Sequence, residues 1–179
     1  MPKKASLLEM AQVRRNPLRA IGVDILNPNP DIISPELRKY KPEFIKGNVD
    51  NIRVPEAPDL VTMCHVLQWT PDPLSAIINA AVQLKVGGVI CANDLSSIFD
   101  FICDDYGRPV SLFKRDGKGY PYFIQLNDCE SSKSIVLQKT DQVKDSDKLL
   151  QAWFGKAPRL VSKKLQGNRW NFQYFYSNL

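Results

Sequence analysis

Residues 18 to 95 alternate short apolar strand patterns with helical patterns, and this alternation limits the fold more than any other feature of the chain. Between Pro73 and Lys85, apolar side chains recur three and four residues apart, which predicts an amphipathic helix. Strand patterns lie near residues 19–24, 43–47, 59–64 and 88–93. Because strands that alternate with helices form βαβ units, the sequence predicts an α/β fold with a parallel core.

Two further helices are predicted from their start signals. Ser6 and Glu9 form an S-x-x-E capping box, which predicts a helix from Ser6 to about Arg15, before Asn16-Pro17. Ser34-Pro35 predicts a short helix that reaches Tyr40, since proline suits the first helical position. We therefore expect helices on both faces of the sheet.

The second half of the chain has a different character, dominated by antiparallel signals. The turn Asp116-Gly117-Lys118-Gly119 predicts a hairpin between residues 110–115 and 120–126. A strand at 134–140, a helix at 145–154 and an antiparallel pair at 159–165 and 169–176 follow. We expect these strands on one edge of the parallel core.

Length and composition favour a single domain over residues 1–179, because 179 residues with 44% apolar content suffice for one core. The chain has no apolar run of about 18 residues and no signal-peptide core behind its MPKK start, so we expect a cytoplasmic protein without membrane contact. None of the four cysteines forms a C-x-x-C pair, which predicts buried, reduced thiols. No metal site is predicted.

Positive charge is concentrated near the two ends of the chain. Residues 1–19 carry five basic residues and one acidic residue, and residues 156–169 carry five basic residues and no acidic one. This distribution suits either an anionic partner such as nucleic acid or an ordinary solvated surface. The sequence leaves both interpretations open.

Four motifs in a fixed order resemble one known family. They are Gly22-Val23-Asp24-Ile25, Gly47-Asn48-Val49-Asp50, the strand Asp59-Leu60-Val61 followed by His65-Val66-Leu67, and Pro71-Asp72-Pro73 with a helix that ends in Leu84-Lys85-Val86-Gly87-Gly88. Over residues 6–95 this pattern is similar to class I S-adenosylmethionine-dependent methyltransferases. The resemblance implies a Rossmann-like, mostly parallel sheet, with residues 96–179 forming the substrate-side and C-terminal elaboration.

The resemblance also implies a cofactor site for S-adenosylmethionine. Asp24 would accept hydrogen bonds from the ribose hydroxyls, the role of an acidic residue at this place in dinucleotide folds, or it would only cap a turn. Asn48 would accept from the adenine amino group, and Val49 would present its backbone amide to the ring. Met63, Cys64 and His65 would line the methionine side of the site.

Two residues near the strand ends have open roles. His65 is the only histidine and is a general base, a lining residue or a packed structural residue. Asp94 follows the fourth strand, where ligands of open α/β sheets bind, and it contacts substrate or caps a turn. No residue is assigned a catalytic role.

One element of the family pattern is missing from the sequence. The family places a strand and a G-x-G-x-G loop before the helix that begins here at Ser6, and only Met1 to Ala5 precede it. The sheet is therefore expected to be truncated at its N-terminus, with its strands pairing directly, with a strand supplied by another copy or chain, or with a longer protein completing it. Without the loop amides, we expect S-adenosylmethionine to bind weakly or not at all.

Two functions follow from these observations. The chain either transfers a methyl group from S-adenosylmethionine to an unidentified acceptor, or it is a catalytically degenerate methyltransferase fold that serves as a binding or assembly module, with or without nucleic acid. The sequence shows no P-loop, zinc ligand set or G-x-S-x-G elbow, so it gives no support to functions built on those sites.

Overall fold

The computed structural model describes residues 19–26, 35–38, 41–64, 66–93, 102–103, 109–110, 120–127, 134–155, 158–166 and 169–176. The strands, in chain order, are β1 (Ile21–Asp24), β2 (Glu43–Lys46), β3 (Leu60–Met63), β4 (Val89–Asn93), β5 (Ile102–Cys103), β6 (Pro109–Val110), β7 (Phe123–Gln125), β8 (Ser134–Lys139), β9 (Pro158–Gln166) and β10 (Arg169–Tyr176). The helices are α1 (Pro35–Arg38), α2 (Pro73–Gln83) and α3 (Ser146–Phe154), with a 3₁₀ turn at Leu67–Trp69. The chain forms two compact units, Met1–Val49 and Asp50–Leu179.

The first unit contains one parallel pair of strands. β1 and β2 run in register, with Ile21 beside Glu43 and Asp24 beside Lys46. Gly22 permits this pairing, because a Cβ at that position would lie 2.8 Å from the Phe44 ring. None of the side chains described in this unit is fully buried. Among the described residues, β1 and β2 are therefore held together mainly by backbone hydrogen bonds.

The second unit is built on a four-stranded sheet with the order β3-β4-β8-β7. β3 and β4 are parallel, whereas β8 is antiparallel to both β4 and β7. Antiparallel strands from the second half of the chain therefore lie on one edge of a parallel pair, as the sequence predicts. The α/β fold class is confirmed.

Helix α2 covers one face of this sheet. Asp72 caps its first turn, accepting from the Ser75 backbone N–H at 3.1 Å and from the Ser75 hydroxyl at 2.9 Å, and Pro73 occupies the first helical position. All of its apolar residues are buried, and so is Asn79, so burial extends beyond the single apolar face that the sequence pattern predicts. Beside it, α3 buries Leu149 and Trp153, and the Trp153 indole N–H donates to Pro121 O at 3.0 Å.

A buried lysine joins the sheet to the end of α2. Lys139, only 1% exposed, lies on the helix-facing side of β8. Its ammonium donates to Ala81 O, Val82 O and Leu84 O at the end of α2 and to Val143 O, at 2.9 to 3.1 Å. Burial lowers the pKa of Lys139, and the nearby charge of Lys144 lowers it further. Four carbonyls thus stabilise a cation at a helix C-terminus, where the helix dipole also favours one.

The remaining strands of this unit form a second sheet with the order β6-β5-β10-β9. The predicted antiparallel pair near residues 159–165 and 169–176 is confirmed as β9 and β10. Among the described residues β7 pairs with β8 and β6 pairs with β5, while most of the first strand of the hairpin predicted between 110–115 and 120–126 is not described, so that hairpin stays a prediction. The turn itself, within residues 111–119, lies outside the described residues.

The predicted parallel core is found as two separate pairs. Among the described residues, β1 pairs only with β2 and β3 pairs with β4, so no ladder joins the two pairs. The predicted helix at 6–15 lies outside the described residues. In the part of the chain that the structure describes, no helix has the length and apolarity to cross a membrane.

Candidate functional site

Polar groups of the first unit gather where β1 and β2 end. Asp24 is the last residue of β1, and its side chain is exposed. Its Oδ1 accepts from the Leu26 N–H at 2.9 Å, so the side chain caps the following turn. Its carbonyl accepts from the Gly47 N–H at 2.8 Å, which holds the two strand ends together. Carboxyl ends of parallel strands are where α/β proteins bind ligands.

Asn48 carries an unusual acceptor beside this edge. Its Oδ1 is buried and has no hydrogen-bond partner among the described residues. A buried acceptor without a donor costs about 1 to 3 kcal/mol, and native proteins contain few of them. The side chain is thus suited to accept from a donor group that a ligand brings.

Two apolar side chains lie next to these polar groups. Ile25 is 59% exposed and Leu26 is 70% exposed, directly after Asp24. Apolar contacts with a few polar groups that fix orientation are typical of small-molecule sites. No role was predicted for either side chain, although an apolar pair directly after a strand-terminal carboxylate can be recognised in the sequence.

In the second unit, Met63 and Cys64 lie at the carboxyl end of β3. Met63 is buried on the helix-facing side of the sheet, whereas Cys64 is exposed, which corrects the expectation of a buried thiol there. Cys91 on β4 is a second free thiol, and burial raises its pKa, with a smaller contribution from Cys64. His65 and Asp94 lie outside the described residues.

The predicted site residues are therefore distributed over two units. Asp24, Asn48 and Val49 belong to the first unit, near the ends of β1 and β2, and Met63 and Cys64 belong to the second. That all of them line one cleft stays a prediction. Among the described residues, no group of three or more His, Cys, Asp or Glu side chains could hold a metal ion.

Two further features of the second unit were not predicted from the sequence. Trp69 in the 3₁₀ turn after β3 is 62% exposed, an unusual state for a large apolar side chain. Asp50 has a buried Oδ1 without a partner among the described residues, and burial raises its pKa, with the charge of Asp72 adding to the effect. Both residues flank segments that the resemblance assigns to the cofactor site.

Comparison with known proteins gives one family match. Residues 5–92 match a family model described as a methyltransferase domain. No curated protein matches the chain.

Three solved structures are similar at low identity. A segment of StiE described as an O-MT, residues 961–1257, is 15% identical with a TM-score of 0.46, covering 82% of this chain and 67% of that one. A S-adenosylmethionine-dependent methyltransferase from Clostridium acetobutylicum ATCC 824 is 16% identical with a TM-score of 0.34, covering 88% and 74%. CalS10, a SAM-bound amino pentose methyltransferase from Micromonospora echinaspora involved in calicheamicin biosynthesis, is 14% identical with a TM-score of 0.34, covering 90% and 75%.

Parallel strands with polar side chains at their carboxyl ends place this chain in the α/β class, in which ligands bind at that edge of the sheet. Over residues 5–92, just under half of its length, the chain is similar to the methyltransferase domain family.

Proposed function

We propose that the chain binds S-adenosylmethionine and supports methyl transfer from it to an acceptor that the sequence does not identify. The observation that carries this proposal is the edge of the first unit, where the exposed carboxylate of Asp24 ends β1 and Asn48, whose Oδ1 has no partner among the described residues, follows β2. This edge lies within the segment that matches the methyltransferase domain.

The chemistry of these side chains suits the adenosine part of the cofactor. A carboxylate accepts from two vicinal hydroxyls, and the Asn48 carbonyl oxygen can accept from the adenine amino group. Exposed Ile25 and Leu26 offer apolar contact for a flat ring. When bound, S-adenosylmethionine would supply the methyl group that an acceptor nucleophile attacks, and the protein's contribution would be to hold and orient it.

We expect weak binding by this chain. Its 179 residues contain no G-x-G-x-G sequence, and backbone amides of such a loop are strong partners for anionic and hydroxyl groups at a helix start. Losing two or three such hydrogen bonds, at about 0.5 to 1.5 kcal/mol each, weakens affinity by one to three orders of magnitude. The dissociation constant should be about 100 μM or higher.

The direct test is titration of the purified chain with S-adenosylmethionine and S-adenosylhomocysteine, followed by calorimetry or by ligand-observed NMR for weak binding. Asp24→Asn keeps the oxygen that caps the Leu26 turn but removes the charge, so it should weaken binding about tenfold or more without unfolding the protein. Glu43→Gln is the matched control, since it removes a carboxylate at the opposite end of the same strand pair. Equal affinity in all three proteins would exclude the Asp24 site.

Asn48 can be tested by pairing a variant with a modified ligand. S-inosylhomocysteine lacks the adenine amino group, so the wild-type chain should prefer S-adenosylhomocysteine by about three- to tenfold. Asn48→Leu should abolish this preference while it leaves the affinity for the inosine compound nearly unchanged. A preference that survives in Asn48→Leu would show that another group binds the amino nitrogen. Saturable binding of neither ligand would leave a binding or assembly module as the better function.

A further inference from the structure

Helix α2 ends in carbonyl groups that its own backbone does not satisfy. The last carbonyls of an α-helix lack an intrahelical N–H donor, so each needs a partner from elsewhere. In α2 the Lys85 N–H, which would donate to Ala81 O if the helix continued, donates to Pro58 O at 3.1 Å. Leu84 then leaves the helical conformation, with a ψ of 145°. The end of α2 therefore needs donors from another element.

Lys139 at the end of β8 supplies these donors. Its ammonium lies 2.9 to 3.1 Å from four carbonyl oxygens, three at the end of α2 and one at Val143, before α3. The backbone of Lys139 is fixed as well, because its N–H donates to Gly88 O at 2.9 Å and its carbonyl accepts from the Gly87 N–H at 2.7 Å. The side chain is buried, so bulk water does not compete for the four oxygens. One lysine thus connects three segments of the second unit.

The four oxygens around this ammonium define what the site accepts. An ammonium has three N–H donors and no acceptor, whereas a hydroxyl group or a neutral amine also carries a lone pair that would face one of the oxygens. The dipole of α2 places partial negative charge at its C-terminus, which favours a cation there. The site is therefore suited to a primary ammonium ion and not to a neutral polar group of the same size.

We propose that four carbonyls at the end of α2 and before α3 form a binding site for a primary alkylammonium ion, which Lys139 occupies with an ion tethered to its own chain. The carbonyls belong to Ala81, Val82, Leu84 and Val143. A tethered ion loses less translational freedom than a free one, so the lysine outcompetes ions from solution. When the lysine stem is removed, the site accepts a free alkylammonium ion. The inference does not depend on methyl transfer.

Lys139→Ala opens the site and measures its length. Alanine keeps only the first carbon of the four-carbon lysine stem, so the missing part corresponds to n-propylammonium. Urea denaturation of the variant should show that about 100 mM propylammonium chloride raises the folding equilibrium constant about tenfold, as expected for a dissociation constant of about 10 mM. Ethylammonium and butylammonium should have smaller effects, because one does not fill the cavity and the other does not fit into it.

Two further ligands separate the charge from the cavity. 1-Propanol has the length of propylammonium without its charge, and tetramethylammonium has the charge without an N–H donor. Neither should stabilise Lys139→Ala more than it stabilises the wild-type chain or Lys85→Ala, which removes an exposed lysine and is the matched control. Equal stabilisation by propanol and propylammonium, or equal effects of propylammonium on all three proteins, would overturn the proposal.

The wild-type chain tests the same site without a substitution. Acetylation removes the charge of a lysine, and acetic anhydride added in urea to a level of about one acetyl group per chain lets each lysine be followed separately. After refolding, chromatography isolates the folded chains and mass spectrometry measures the acetylated fraction of each lysine. Acetyl-Lys139 should be depleted at least about tenfold relative to acetyl-Lys85, since the site rejects an uncharged amide. Folded chains acetylated equally at both lysines would refute the site, even if Lys139→Ala does not fold.

Discussion

The molecule contains two parallel strand pairs of equal length that differ in everything around them. β1 and β2 pair over four residues, and so do β3 and β4. Yet the first unit has no fully buried side chain among its described residues, whereas the second covers its pair with α2 and extends it through β8. An isolated pair of strands is marginally stable at best, because backbone pairing alone does not offset the entropy of ordering. The two units therefore differ in how much side-chain surface they bury, and not in the length of their strand pairing.

The largest expected difference between the two strand pairs comes from the same isoleucine-to-alanine substitution made in each of them. Ile90 in β4 is fully buried, and Ile90→Ala should lower the free energy of unfolding by about 2 to 5 kcal/mol through lost burial and a cavity. Ile45 in β2 is only half-buried, and Ile45→Ala should cost less than about 1 kcal/mol. Urea denaturation measures both. Equal costs would mean that the first unit has a core comparable to that of the second.

The next effect concerns the buried ammonium of Lys139 in the second unit. Lys139→Met keeps the stem of the side chain but leaves the carbonyls of Ala81, Val82, Leu84 and Val143 without their donor. We expect a loss of roughly 2 to 4 kcal/mol, smaller than the sum of four bonds because the ammonium no longer has to be desolvated. Lys85→Met, which removes an exposed ion pair with Asp59, is the control and should cost less than about 0.5 kcal/mol. If Lys139→Met unfolds with the same free energy as the wild-type protein, water must donate to the four carbonyls in place of the ammonium.

A smaller difference is expected between two aspartates that both cap backbone groups. Asp72 caps the eleven-residue helix α2, and Asp72→Ala should cost about 1 kcal/mol. Asp24 caps only an exposed turn after β1, and Asp24→Ala should change stability by less than about 0.5 kcal/mol. Thermal melts of the two variants measure this contrast. A larger loss for Asp24→Ala would assign that residue a structural role beyond its turn.

The smallest effects are pH dependences of opposite sign in the two units. The hydrogen bond from Arg19 lowers the pKa of Glu43 below its ordinary 4.5, so the pair stabilises the first unit above that pH and loses its contribution as the pH falls. Burial raises the pKa of Asp50 above its ordinary 3.8, so the protonated form is favoured in the fold and the advantage is lost as the pH rises through the raised pKa.

Substitutions separate the two titrations. Glu43→Gln should be less stable than wild type near pH 7 and nearly equal to it near pH 3, whereas Asp50→Asn should be more stable near pH 7 and lose this advantage near pH 3. Denaturant melts at several pH values provide the measurement. If both substitutions change the free energy of unfolding in the same direction at pH 7, the surroundings of one of the two carboxyl groups differ from those described.

Local signals predicted most elements of the fold. Asp72-Pro73 and Gly87-Gly88 bound α2 and β4 because capping, proline and glycine act through neighbouring residues. The hairpin at 110–126 stays a prediction, and turn chemistry says nothing about which further strand a segment later meets. Here β7 meets β8, whose alternation buries Ile135 and Leu137.

The candidate site was predictable only in part. The position of Asp24 at a strand end follows from the sequence, since an apolar run that stops at a carboxylate marks that place. The unpartnered oxygen of Asn48 and the buried ammonium of Lys139 were not predictable, because both depend on atoms distant in the chain. A single cleft that joins Asp24 to Met63 and Cys64 stays a prediction, as does the single domain.

Helix α2 also holds the extended segment after Asp50, and it does so without using that segment's side chains. Asn79 Nδ2 and Gln83 Nε2 both donate to Ile52 O, at 2.9 and 3.0 Å, and Gln83 Oε1 accepts from the Val54 N–H at 2.9 Å. Since every one of these bonds ends on a backbone atom of the segment, the identity of the residue between them is nearly irrelevant to the attachment. Exposed Arg53 is therefore a position for a spectroscopic label or a purification handle that would report on this segment without loosening it.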